Sequence, residues 1–128
     1  MGGVQPGEEE ERTPEGFFDG FADGLRVYHA VARTVADIGD ASVRVTRSQI
    51  AFRRRTGFAF VWRPGQYVTS DVPAVLSIAL PHEVASDRFK AVVHPSTGVW
   101  MHHLELRAVG QVDDEVRGWL VEAYDAAG

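Results

Sequence analysis

The chain has 128 residues, 45% hydrophobic and 24% charged. That suits one domain with one core and is too short for two ordinary domains plus a linker. Cysteine is absent, which removes disulfides, thiolate catalysis and cysteine-ligated zinc, and a net charge of −5 argues against bulk attraction to nucleic acid or an anionic membrane.

Residues 1–12 read as a disordered acidic tail, because Gly2, Gly3, Pro6 and Gly7 do not pack and Glu8, Glu9, Glu10 and Glu11 repel one another. Four glutamates against one arginine give this tail −3 of the net −5, leaving about −2 for a single α+β domain over residues 13–128. No apolar run reaches the roughly 18–20 residues that cross a bilayer. The tail also lacks the apolar segment of a secretory signal. A cytoplasmic, bacterial-type protein without membrane contact is expected.

Thr13-Pro14-Glu15 predicts a helix start, with threonine as cap, proline at the first helical position and an acid at the positive end of the dipole. Phe18, Phe21, Leu25, Tyr28, Ala32 and Val35 then recur at steps of three and four, an apolar helical stripe that Gly39-Asp40 ends. Gly16, Gly20 and Gly24 lie four apart on one edge, read either as a loose first turn or as close approach to a sheet or a second subunit. Strands are expected over 42–46, 49–53, 58–63 and 74–80, and a hairpin over 89–93 and 99–107 turns at Pro95-Ser96-Thr97-Gly98. A second helix is expected over 113–126, with acids in its first turn and Val116, Leu120 and Ala123 on one face. No helix separates successive strands. The predicted fold is therefore an α+β two-layer sandwich, a mainly antiparallel sheet of five to six strands with the N- and C-terminal helices on one face.

Alternation along the strands sorts the side chains. Phe58, Phe60 and Trp62 share one parity, and with Ile50, Phe52, Leu76, Ile78, Leu80, Phe89, Ala91, Val93, Trp100, His102 and Leu104 they are assigned to the helix-covered core. The open face is left with small residues, Ala51, Ala59, Val61, Ser77 and Ala79, framed by Arg44, Arg53, Arg63, Lys90, His103 and Arg107. Residues 41–70 hold six arginines and no acid. Guanidinium forks above a small-residue floor suit a carboxylate or phosphate, although arginine on an exposed sheet is also an ordinary solubilising choice. Phe52, Phe58, Phe60, Trp62 and Trp100 all have core parity, so the face is expected to offer no stacking platform for single-stranded nucleic acid, and a phosphate backbone would be met by charge alone.

Chemistry-bearing motifs are scarce. There is no phosphate-binding G-x-x-x-x-G-K-S/T loop, no G-x-G-x-x-G turn and no G-x-S-x-G elbow, and His82-Glu83 lacks the second histidine of a zinc protease. His102 and His103 are neighbours on a strand and point to opposite faces, so they do not share a metal. Neither a metal nor a cofactor is expected. His102 reads as a hydrogen-bonded core histidine, and His103, held neutral by nearby positive charge, as a ligand-orienting group. The reading is of a non-enzymatic binding domain for an anionic metabolite, nucleic-acid backbone or acidic segment. A homo-oligomerisation or protein-interaction module is the alternative, and an enzyme with His103 as general base comes third.

Taken together, Ser48-Gln49-Ile50-Ala51-Phe52-Arg53-Arg54-Arg55, Gly57-Phe58-Ala59, Trp100-Met101-His102-His103 and Trp119-Leu120-Val121-Glu122-Ala123-Tyr124 resemble the family catalogued as domain of unknown function 5655, over residues 17–126. The resemblance implies a small bacterial α+β domain without a settled activity, sometimes attached to nuclease-like or other uncharacterised domains, which lends some weight to an accessory binding role near nucleic acid.

Overall fold

The computed structural model describes residues 12–128. Apart from Arg12, the stretch read as an acidic tail lies outside the described residues. Thr13 caps the first helix, α1 (Pro14–Phe17), its Oγ1 accepting the Gly16 N–H at 3.0 Å, as the Thr-Pro-Glu sequence predicts. The single long helix expected here is interrupted. The chain passes through Gly20, at φ +82°, before α2 (Ala22–Ile38) begins, a left-handed conformation that glycine adopts without penalty. The break divides the apolar stripe, turning Phe18 inward at 1% exposure and leaving Phe21 outside at 45%. Of the three spaced glycines, Gly24 makes a close approach within the chain. A Cβ there would sit 2.6 Å from the Phe18 ring and 2.8 Å from the Pro73 carbonyl oxygen.

Six strands follow: β1 (Ser42–Val45), β2 (Ile50–Arg53), β3 (Gly57–Trp62), β4 (Ala74–Leu80), β5 (Phe89–Ser96) and β6 (Val99–Leu106). They form one sheet of order β1-β2-β3-β4-β6-β5, with every neighbouring pair antiparallel. Short 3-10 turns, Pro64–Gln66 and Val109–Gln111, follow β3 and β6. The last helix, α3 (Asp114–Ala126), is capped by Asp113, whose carboxylate accepts the Val116 N–H at 3.1 Å. Both long helices pack on the same side of the sheet, which makes an α+β sandwich.

Between the layers lie Val27, Tyr28, Val31 and Val35 of α2 and Val116, Leu120 and Ala123 of α3, against Ile50, Phe52, Leu76, Ile78, Leu104 and Leu106 of the sheet. Each large apolar side chain buried there contributes about 1.5–3 kcal/mol. Tyr28 stacks on Phe52 with ring centroids 5.9 Å apart. Burial, with the Glu15 carboxylate adding to it, raises the Tyr28 phenol above its ordinary value. His102 sits within this layer fully buried, as expected of a core histidine. The Val84 N–H donates to its Nε2 at 2.9 Å, so the ring hydrogen is on Nδ1 and donates to the Trp100 carbonyl at 2.9 Å.

Candidate functional site: the open face of the sheet

Two bulges decide what the helix-free face presents. In the β2–β3 pair, Phe52 lies opposite Ala59 but Arg53 opposite Gly57, so Phe58 is an extra residue. An inserted residue interrupts the two-residue alternation, and Phe58 and Ala59, though adjacent, are both buried. Phe58 packs edge-on against Tyr124 of α3 at 5.6 Å. Beyond the bulge, Ala59 and Val61 belong to the core, and Phe60 and Trp62 point to the open face, half-buried. The assignment of Phe60 and Trp62 to the core, and of Ala59 and Val61 to the open floor, is therefore corrected. A second bulge at Lys90 does the same in β5. Phe89 pairs with Leu104 in the core, whereas Ala91 and Val93 pair with His103 and Met101 on the open side rather than filling the core.

A continuous row of open-face residues crosses the sheet: Arg44 opposite Ala51, Ala51 opposite Phe60, Phe60 opposite Ser77, Ser77 opposite His103, and His103 opposite Ala91. At its centre, Trp62 Nε1–H reaches diagonally to Ser77 Oγ at 2.8 Å, and Ser77 Oγ lies 2.6 Å from His103 Nδ1. Ser77 is only 3% exposed, and a buried O–H left without an acceptor is costly. The indole already occupies one oxygen lone pair. The hydroxyl hydrogen therefore donates to Nδ1, and the hydrogen of His103 is assigned to Nε2. Burial lowers the His103 pKa below its ordinary value, and the neighbouring His102 adds a smaller push the same way. The neutral ring expected from the sequence thus has a different cause, since desolvation rather than the arginines sets it.

Trp62 also stands edge-on to Tyr67 and to His103, with centroids 6.1 Å apart in both cases. Tyr67, just beyond the 3-10 turn after β3, is 60% exposed. These three rings form a ridge between two hollows. One, of about 480 Å³, extends over Phe60 toward Ser48 and Gln49. The other, of about 490 Å³, extends toward Lys90, Ala91 and Glu105.

The six expected site residues divide. Arg44, exposed, and Arg53, half-buried, lie on the open face with His103. Lys90 is tied to Glu105 at 3.3 Å, and Arg107 to Asp71 at 3.2 Å. Arg63 does not join them. With Val61 facing the core, its side chain turns toward the start of α2 and lies over the Phe21 ring, 3.7 Å from its centroid. There it lines a separate hollow of about 340 Å³, and its Nε is buried without a partner among the described residues. Tyr67 was not singled out from the sequence, and Phe60 and Trp62 were expected in the core. The signal that could have found them was Gly57 at the head of the strand, a residue type that often marks a bulge.

The fold and this face together define a small two-layer α+β protein with one sheet surface not covered by its helices. The family described as Domain of unknown function (DUF5655) matches residues 15–127, and the chain belongs to it. No curated protein and no solved structure matches the chain. Among the described residues no helix is long and apolar enough to cross a membrane.

Proposed function

We propose that the chain is a binding module whose open sheet face receives an anionic ligand, without turnover. The observation that carries this reading is the row joining Arg44 at one margin to the neutral His103 beyond the sheet centre, with Arg53 on the same face and no acid in residues 41–70. Guanidinium groups supply charge and planar donor forks, and His103 supplies an Nε2–H donor. Use of His103 as a general base has less support. Its Nδ1 is engaged by Ser77 and its Nε2 carries the hydrogen, so the outward nitrogen donates rather than accepts. The reading includes a bacterial cytoplasmic setting, which cell fractionation checks.

The experiment is a binding series with inorganic phosphate, pyrophosphate, polyglutamate and oligonucleotide at two salt concentrations, comparing the native chain with Arg44→Glu and Arg53→Glu. Weaker binding in both variants, sensitive to salt, supports the reading. Equal binding by all three proteins, or none by any, rejects it. A second reading, a homo-oligomerisation or protein-interaction surface, is favoured by three exposed apolar residues: Tyr67, Val68 and Val93. Sedimentation at high protein concentration tests its dimeric form, which a strict monomer excludes.

A further inference from the structure

We propose that the anionic ligand is single-stranded nucleic acid, with unpaired bases stacked on the Trp62–Tyr67–His103 ridge and phosphates directed toward Arg44, Arg47 and Arg53; this rests on the anion-binding reading above. Binding of unpaired bases needs aromatic rings on the surface beside a basic track, and the bulge at Phe58 turns Phe60 and Trp62 outward to join Tyr67 and His103 there. Trp62, Tyr67 and His103 border both hollows, of about 480 and 490 Å³, so a flat group can lie on either side of the same ridge. The indole is held in place, because its Nε1–H is committed to Ser77 at 2.8 Å. A preset ring loses little freedom when a base stacks on it.

Charge is distributed to match. On the far side of the ridge the cations already have carboxylate partners, Lys90 with Glu105 and Arg107 with Asp71. On the near side, Arg44 and Arg53, together with Arg47 in the turn between β1 and β2, make no side-chain hydrogen bond or ion pair among the described residues. Two strand spacings put Arg44 about 10 Å from Phe60, within reach of a long side chain toward the phosphate of a base seated over that ring. An acidic protein segment would use the arginines and leave the rings idle. A single small anion would occupy neither hollow fully. Paired bases in a duplex would present only their edges to the ridge.

The test uses the full chain and a fluorescently labelled oligothymidylate of about ten nucleotides, within the range of known single-strand site sizes, followed by anisotropy. Binding is expected to fall steeply between about 50 and 200 mM salt. It should weaken roughly tenfold or more in Tyr67→Ala and in Trp62→Phe, each of which removes a stacking surface or its anchor. Tyr67 is exposed, so that variant retains the fold, as circular dichroism verifies. If Arg44→Glu weakens oligothymidylate binding and Tyr67→Ala and Trp62→Phe leave it intact, stacking is wrong and the anion-binding reading survives. If polyglutamate or pyrophosphate binds and the oligonucleotide does not, nucleic acid is the wrong class. If nothing anionic binds, both readings fall.

Discussion

Ser77 is a small residue at the centre of the open face, and it orders the larger ones around it. Its oxygen accepts from Trp62 and its hydrogen goes to His103, so one hydroxyl sets the position of an indole and the tautomer of an imidazole. Ser77→Ala is expected to cost about 1–3 kcal/mol, the penalty for leaving a buried polar partner unsatisfied, and chemical denaturation measures it. His103 gives a second test at this scale. Because burial depresses its pKa, an NMR titration of the ring should show a midpoint below the ordinary 6.5. The sign for stability follows by linkage. On acidification through the ordinary value the unfolded chain takes up the proton first, so His103 withdraws stability as pH falls. A midpoint above the ordinary value would contradict the buried, neutral ring.

Beside the apolar core, a few charged contacts tie loops to α3. Arg88, in the loop before β5, donates to both carboxylate oxygens of Asp113 at 3.0 and 3.1 Å, to Glu115 at 2.9 Å and to the Gln111 carbonyl at 2.9 Å. The Arg88 guanidinium, followed by the Val116 N–H, holds the Asp113 carboxyl below its usual range. Its stabilising contribution is therefore present at neutral pH and is lost as pH falls through the folded value. Asp113→Ala removes the helix cap as well and should cost about 1 kcal/mol in thermal or denaturant unfolding. The loop after β4 is tied to the same helix through His82 Nε2 and Glu122. The hydrogen bond to Glu122 raises the His82 pKa above its ordinary value. The sign is opposite to that of His103: the folded state holds this proton more tightly, so the gain is complete below the ordinary pKa and disappears as pH rises through the folded value. Any stability gap between the native chain and Glu122→Gln should be visible near pH 6 and shrink by about pH 8. A gap that grows with pH would contradict the pairing. Element types and most boundaries were readable from turn residues and periodicity. The bulges were not, apart from the local sign of Gly57, because one inserted residue changes little in local propensity and reverses every side chain beyond it.

For the whole molecule, charge segregation matters more than total charge. The chain carries −5 overall, yet residues 41–70 carry six arginines and no acid. Arg44 and Arg53 face the open side, whereas Arg54 lies over the Tyr124 ring, 4.0 Å from its centroid, and donates to the Tyr124 carbonyl at 2.9 Å, serving the end of α3. Counterion release predicts that each arginine in contact with a single-stranded phosphate adds about 0.7 to the slope of log K against log salt. Arg44→Glu should therefore flatten that slope in a salt titration, and Arg54→Gln should leave it unchanged. By itself the sequence determined the order of the strands and the two flanking helical segments, the antiparallel sandwich, the Thr13 cap and the buried, hydrogen-bonded His102, because capping, periodicity and turn chemistry act over a few neighbouring residues. Which rings face outward, which arginines remain unpaired and where Arg63 points were decided only by tertiary structure. Those outcomes depend on strand register and on partners distant along the chain, and a single extra residue in β3 exchanged Ala59 and Val61 for Phe60 and Trp62 on the exposed side.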